Sequence, residues 1–376
     1  MKGIYFTTMC NIEDPEDNIN PGIKEKIKQQ FELFQKAGME IFFYYAHTNS
    51  KYYRYVNRMP LFRDKYDLSR KIIEESDFIY LRKPSAINMG FIDLLKRIRS
   101  INPNMKILLE IPTYPYDNEI QGLVRVTLKW KDQYARKKLK DYVDVVLTYS
   151  DDKEIFGIQT INISNGVDAA KLSNAVMKYP RPNDGKIRFM ACAKFNLWHG
   201  YDRAIKGLHQ YIQKPDANKN IEIEMVGDGD STESYRQLVE KYRLQDYVIF
   251  HGKKQGEALV KAYSACDIGL DSMGRHRSGV YYNSSLKGKE YCAYGLMIVS
   301  GVETELDHMT DFEYYYRIPA DDSPVDFEKV LDFYNHKVGS KKDSIRIQIM
   351  KYAQEHFSME VVFKPVIDFI CKNGET

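Results

Sequence analysis

A chain of 376 residues, 43% hydrophobic and 28% charged, is long enough for two ordinary domains with a core in each. Its net charge of only +3 argues against a dedicated nucleic-acid binder, and no window approaches the roughly 18 apolar residues of a membrane span. The five cysteines, Cys10, Cys192, Cys266, Cys292 and Cys371, show no CxxC spacing, so free thiols in a reducing cytoplasm are expected in place of a disulfide or metal framework.

Strand-like apolar runs alternate with helical patterns along the whole chain. The opening MKGIYFTTMC reads as a strand over Ile4–Thr8, without the apolar run and cleavage site of a signal peptide. Apolar Ile23, Ile27, Phe31 and Phe34 mark a helix over Gly22–Gly38, stopped by its glycine. Strands follow at Met39–Tyr45, Phe78–Leu81, Lys106–Ile111, Val143–Tyr149 and Thr160–Ile163, with a helix over Phe91–Ile98. The segment Ser164–Gly185, with Asn-Gly, two prolines and Asn-Asp-Gly, breaks the rhythm and is the expected boundary. The alternation restarts with strands at Ile187–Ala193, Ile221–Val226, Tyr247–Phe250, Ile268–Leu270 and Met297–Val299. Helices are expected at Tyr201–Ile212, Glu233–Arg243 and Glu257–Tyr263, and two more close the chain, the last over Met359–Cys371. Such a βαβα rhythm predicts an α/β protein of two doubly wound, Rossmann-like parallel-sheet domains. The expected divisions are 1–170, a linker at 171–185 and 186–358, with the C-terminal helix 359–376 returning to the first domain.

Open parallel sheets bind ligands beyond the carboxyl ends of their strands. In the second half those ends carry Lys194 and His199, then Gly227-Asp228-Gly229, then Arg275 and Arg277, then the small-residue turn Asn283-Ser284-Ser285 that opens a helix through Leu286, Lys287 and Glu290. A helix start leaves backbone N–H groups unpaired and suits an anion. A carboxylate deeper in the helix suits the hydroxyls of an attached sugar. The pattern therefore fits a nucleotide-diphosphate pocket, although a capped helix with a solvated Lys/Glu pair, a packed His199 and a glycine turn at a strand end would look the same. In the first half, EIPTYPYDNE offers Glu110, Tyr114, Tyr116, Asp117 and Glu119 for an acceptor with sugar hydroxyls, or else forms a rigid crossover. The segment 123–142 is basic, with Val126, Trp130 and Tyr134 at helical spacing. It reads as a buried apolar stripe under a solvated basic face, or as a contact with an anionic membrane surface.

The second half resembles the group 1, family 4 retaining glycosyltransferases. The resemblance rests on NISNGVD (Asn162–Asp168), AKFNLWHGYDRAIKGL (Ala193–Leu208), EMVGDGD (Glu224–Asp230), VIFHGKK (Val248–Lys254), YSACDIGLDS (Tyr263–Ser272) and SSLKGKEYCAYGLMIVSG (Ser284–Gly301), in family order. It implies the GT-B architecture, two Rossmann-like domains facing each other across a cleft. It also implies transfer of a sugar from a nucleotide-diphosphate donor, of the UDP or GDP type, to an acceptor hydroxyl. Lys194 falls on a family Arg that grips the diphosphate, and His199 on a family Lys. Glu290 falls on the second glutamate of the paired-glutamate motif, which holds the donor ribose. Tyr282 stands where the first glutamate, the contact to the transferred sugar, should be, and the family's first-domain histidine has no counterpart.

The expectation is thus a metal-independent hexosyltransferase with Lys194, His199 and Glu290 at its catalytic centre and Gly227, Asp228, Arg275, Arg277, Ser284, Ser285, Leu286 and Lys287 around the donor. No cofactor is expected beyond the nucleotide sugar as co-substrate, and no nucleic acid. The setting implied is assembly of bacterial surface or capsular polysaccharide on a saccharide or lipid-linked acceptor. The protein would be cytoplasmic, touching the inner face of the membrane through 123–142. An epimerase or hydrolase of nucleotide sugars, or a non-catalytic binding subunit, would share the scaffold.

Overall fold

The computed structural model describes residues 1–14, 21–46, 59, 62–117 and 126–372, apart from the side chains of 21 and 22. The chain divides into two compact units, Met1–Ser164 with Phe363–Thr376, and Asn165–Val362.

The first unit runs β1 (Lys2–Thr7), α1 (Pro21–Lys36), β2 (Glu40–Tyr45), α2 (Arg70–Glu75), β3 (Phe78–Arg82), α3 (Met89–Ile101), β4 (Lys106–Ile111), α4 (Val126–Ala135), β5 (Val145–Thr148), β6 (Glu154–Ile155) and β7 (Ile158–Asn162). Its described strands lie in the order β2-β1-β3-β4-β5-β7-β6. Neighbours pair in parallel except β6 with β7. All five residues of β3 are buried, and so are the last five of β4, as expected of a parallel sheet covered on both faces. The short β6–β7 hairpin escapes the periodicity argument. Its strand is two residues long, and it turns through Phe156 and Gly157, both with positive φ.

A polar cluster is buried at the carboxyl ends of these strands. Glu110, completely buried, accepts from Arg82 Nη1 at 2.8 Å, Tyr80 Oη at 2.9 Å and Tyr149 Oη at 3.0 Å. Lys26 Nζ stands 3.9 Å from the same carboxylate and 3.7 Å over the Tyr149 ring. Burial pushes the Glu110 carboxyl up, but Arg82, Lys26 and the two phenols more than offset this and hold it below its ordinary value.

The second unit runs α5 (Ala169–Val176), β8 (Ile187–Ala193), α6 (Tyr201–Ile212), β9 (Ile221–Gly227), α7 (Thr232–Tyr242), β10 (Val248–Gly252), α8 (Gly256–Ser264), β11 (Ile268–Leu270), α9 (Leu286–Ala293), β12 (Met297–Ser300), β13 (Tyr315–Arg317), α10 (Phe327–Lys337) and α11 (Lys342–His356); the last helix, α12 (Met359–Cys371), belongs to the first unit from Phe363 on. The strand order is β10-β9-β8-β11-β12-β13, parallel throughout. The order reverses between β8 and β11, so the loops leaving these two strands diverge and open a crevice at their carboxyl ends. Two doubly wound α/β units are therefore present, as the alternation predicts.

The division falls after Ser164, and the stretch expected as linker belongs to the second unit. Asp168 caps α5 by accepting from the Lys171 N–H at 3.1 Å, and Ser173 Oγ donates to the Ala293 carbonyl at 2.9 Å. Arg181 then reaches Asp267 at 2.9 Å. Eight residues with buried Ala169, Ser173 and Val176 make a helix too short to stand out among prolines and glycines.

Removing one partner of a buried ion pair strands the other, at about 3–5 kcal/mol. Glu110→Ala should therefore lower the urea midpoint of the first unit by about 1 M or more. Emission from Trp130 in a Trp198→Phe background reads that unit alone; an unchanged midpoint contradicts the buried-pair account. Because the Glu110 carboxyl is depressed in the folded state, its contribution is present above the ordinary glutamate range and is lost as pH falls through the lowered value.

Candidate functional site

The crevice in the second unit is built by main chain first. Gly227 ends β9 with φ +134, and a Cβ there would lie 1.8 Å from the Ala193 carbonyl oxygen. Only glycine lets the β9–α7 loop lie this close to the end of β8. The loop is then sewn down where Phe195 N–H donates to the Asp228 carbonyl at 3.2 Å and Ser231 N–H to the Phe195 carbonyl at 3.0 Å. The β8–α6 loop is tied to the segment after β11 in the same way. Met273 N–H donates to the His199 carbonyl at 2.8 Å and Gly274 N–H to that of Trp198 at 3.2 Å. Gly200, with φ +64, permits that approach.

These ties border an open cavity of ≈ 590 Å³, lined by Cys192, Ala193, Lys194, His199, Val226, Gly227, Asp228, Gly229, Lys253, Lys254, Gln255, Lys287 and Glu290. That volume suits a small ligand. Residues expected from three separate stretches of sequence meet here: Lys194 with His199, the Gly227-Asp228-Gly229 turn, and Lys287 with Glu290; Arg275, Arg277, Ser284, Ser285 and Leu286 are not among its lining residues.

Two side chains behind the cavity hold its charges in place. Asp271, at the end of β11, accepts from Ser285 Oγ at 2.8 Å and lies 3.5 Å from Lys287 Nζ. Its Oδ2 is buried without a partner. Lys287 also reaches Ser272 Oγ at 3.2 Å and Tyr201 Oη at 3.4 Å. Arg203, completely buried in α6, donates to the carbonyls of Met273, Ser323 (2.7 Å) and Pro319 (3.0 Å) and so fixes the loop that presents Arg275. Asp271 and Arg203 were not singled out in the sequence; the only signal was a carboxylate directly after an apolar strand.

The electrostatics are unbalanced. Burial lowers the Arg275 guanidinium, with only Asp271 opposing. Its Nε is buried and unpartnered, and among the described residues no carboxylate pairs with it. Burial also lowers the Lys287 ammonium, which Asp271 supports and Arg275 opposes. His199 is pressed down to about 2 by burial and by the nearby Lys287 and Arg275, so its imidazole is neutral. Its Nδ1 accepts the Asn196 N–H at 3.1 Å, leaving Nε2 as the N–H donor. Burial pushes the Glu290 carboxyl up to about 7 against the pull of Lys287, and among the described residues it has no hydrogen-bond partner.

Several expected site residues serve other ends. Arg277 is held by Asp202 through two bonds, 2.8 and 3.0 Å, and by Asp322 at 2.7 Å, so its charge is already neutralised. Ser284 Oγ receives Lys289 Nζ at 2.6 Å and the Asn165 N–H at 3.1 Å, and donates to Glu305. Ser285 caps α9 through the Gly288 N–H at 3.3 Å. Their hydroxyls are structural, and what the helix start can offer is the N–H of Leu286 and Lys287, which have no acceptor one turn back.

In the first unit the acceptor candidates fare similarly. Glu110 is locked in its buried cluster. Tyr116 is buried and donates to Asp132 at 2.8 Å. Asp117 takes two bonds from Arg136, at 2.5 and 3.1 Å. Half-buried Tyr114 lies edge-on to Phe156 at 5.7 Å, and its hydroxyl has no hydrogen-bond partner among the described residues. Glu119 lies outside the described residues. Among the described residues no set of His, Cys, Asp and Glu is grouped to hold a metal, and no helix is long and apolar enough to cross a membrane. Cys266 and Cys292 are buried free thiols, Cys10 is buried, and Cys371 is exposed.

Residues 175–271 match the family model for group 1 glycosyl transferases, a span that ends before α9. No curated protein matches the chain significantly. Solved structures give likeness over almost the whole length. Sucrose-phosphate synthase from Thermosynechococcus elongatus is 14% identical, with 98% of each chain covered and a TM-score of 0.60. HepE of Anabaena, solved in complex with UDP, is 12% identical with a TM-score of 0.60, covering 98% of this chain and 99% of its own. A glycosyltransferase from Rickettsia africae is 14% identical with a TM-score of 0.56 and 99% of each chain covered. At these identities the likeness establishes the fold, two Rossmann-like units of the GT-B kind.

An unpaired buried cation costs stability, and its removal should not. Arg275→Met is expected to keep or raise the melting temperature while weakening inorganic pyrophosphate binding about tenfold or more, read by thermal shift and calorimetry. A lower melting temperature with unchanged binding would assign Arg275 to structure.

Proposed function

We propose that the protein transfers a glycosyl unit from a nucleoside diphosphate donor to an acceptor hydroxyl with retention at the anomeric carbon. The observation that carries this reading is the cavity beyond β8 and β11, where Lys194, Lys287, a neutral His199 and Glu290 line one space, with the charge of Arg275 acting on His199 and Lys287 from beside it. The family model over residues 175–271 and the whole-chain likeness to nucleotide-sugar enzymes support it.

On this reading Arg275, Lys287, Lys194 and the N–H groups at the start of α9 take the diphosphate, and His199 donates through Nε2. Glu290 accepts the ribose hydroxyls. The bond from the anomeric carbon to the phosphate oxygen breaks, and the nucleoside diphosphate leaves with the electron pair. The acceptor oxygen bonds to the same carbon from the face just vacated, and its proton passes to the leaving diphosphate. Cations and N–H groups fixed beforehand stabilise the charge that grows on the leaving group. With Tyr282 in place of the motif glutamate, the transferred hexose loses a carboxylate contact, so donor choice rests on other groups. Tyr114 is the acceptor-side residue the reading retains. The biological setting proposed is assembly of bacterial surface polysaccharide.

A panel of uridine and guanosine diphosphate sugars tests the donor by calorimetry; no binding by any of them removes the proposal. Product analysis then separates transfer from hydrolysis, since nucleotide release without any acceptor supports a hydrolase. The pH dependence isolates Glu290. Its carboxyl gains charge as pH rises through about 7, and the ionised form accepts ribose hydroxyls better. Wild-type affinity should therefore climb more steeply between pH 6 and 8 than that of Glu290→Gln, which also binds about tenfold more weakly at the upper end. Parallel profiles would exclude Glu290 from ribose binding.

A further inference from the structure

Helix α4 sits with its usual faces exchanged. Val126, Trp130 and Tyr134, one turn apart, are 61%, 58% and 52% exposed. The Trp130 and Tyr134 rings stack at 6.2 Å, and Lys138 Nζ lies 5.7 Å over Tyr134. The expectation of a buried stripe is thus corrected: the apolar edge faces out.

The opposite face explains why. Lys131 is buried and donates to the Phe62 carbonyl at 2.9 Å. Asp132 is buried and accepts the Ile87 N–H at 2.7 Å and Tyr116 Oη at 2.8 Å. Arg136 turns inward to Asp117. Ala135 and Leu139 fill the space between. These bonds fix the rotation of the helix, so the outward aromatic edge is imposed by the fold. They also use up the helix's acidic group. Outside remain Lys129 and Lys138, half-buried, and Lys137 and Lys140, exposed, with Asp141 exposed at the end of the run.

We propose that this edge docks on the surface of an anionic phospholipid bilayer, with Trp130, Tyr134 and Val126 at the headgroup level and the four lysines over the lipid phosphates. Indole and phenol rings suit that depth, where one end of the ring is apolar and the other wet. Charge decides against a second copy of the chain, since two like-charged patches would repel. These residues lie outside the cavity described above.

Co-sedimentation of the full chain with vesicles tests it. Vesicles with about one-third phosphatidylglycerol should bind the protein about tenfold or more better than pure phosphatidylcholine, with loss at high salt. The charge variant K129E/K137E/K138E should reduce partitioning about a hundredfold. Trp130→Ala with Tyr134→Ala should reduce it about tenfold, and both should leave uridine diphosphate affinity unchanged. In a Trp198→Phe background, Trp130 emission should shift to the blue on adding anionic vesicles. Equal binding to both vesicle types, or binding indifferent to both variants, overturns the proposal. So does an unshifted Trp130, or a dimer in sedimentation velocity that the aromatic variant abolishes without any vesicle binding.

Discussion

Positive charge without a matching carboxylate is the constraint around which the second unit is arranged. Asp271 is the acidic neighbour shared by Lys287 and Arg275, and it is already engaged with Ser285. One carboxylate cannot neutralise two buried cations, and burial keeps Glu290, the other carboxyl near Lys287, from ionising fully below about 7, so the folded chain carries a deficit of negative charge at the ends of β8 and β11. Much of the surrounding structure keeps that deficit from relaxing. Arg203 pins the loop after β11 to three carbonyls, and the Asp202–Arg277 pair anchors the turn on its far side. Without such ties Arg275 would swing toward water and the strain would vanish, along with the affinity for an anion.

The same unit shows what a linear sequence can and cannot convey. Lys194, His199, Gly227 and Glu290 were legible because each follows an apolar strand or opens a helix, and topology sends such positions to one edge. Arg275 and Arg277 were not separable, being two residues apart in one loop. Their fates are decided by Asp202, 75 residues before Arg277, and by Asp322, 45 residues after it. Serine hydroxyls at a helix start suggest ligand contacts equally well, yet here they are spent on Lys289, Glu305 and Gly288. The protonation of His199 likewise lies in burial and in neighbours drawn from distant loops.

In the first unit the strands were legible and the side-chain roles were not. Carboxylates and tyrosines after β4 have the chemistry of a sugar site, but Glu110, Tyr116 and Asp117 satisfy Arg82, Asp132 and Arg136 instead. A buried cation needs a nearby anion, and the pattern of the loop gives no sign of which demand prevails. Periodicity in α4 found the apolar edge without saying which way it faces. That was settled by Lys131 and Asp132, whose partners Phe62 and Ile87 come from well before the helix.

The close packing of Gly227 and Gly229 on Ala193 and Phe195 makes one wall of the cavity backbone against backbone. Such a wall cannot be resculpted by exchanging side chains. Evolutionary drift or laboratory selection for new ligands must then work through the positions whose side chains reach the rim, Lys194, Lys253, Lys254 and Gln255, while the glycine wall stays invariant.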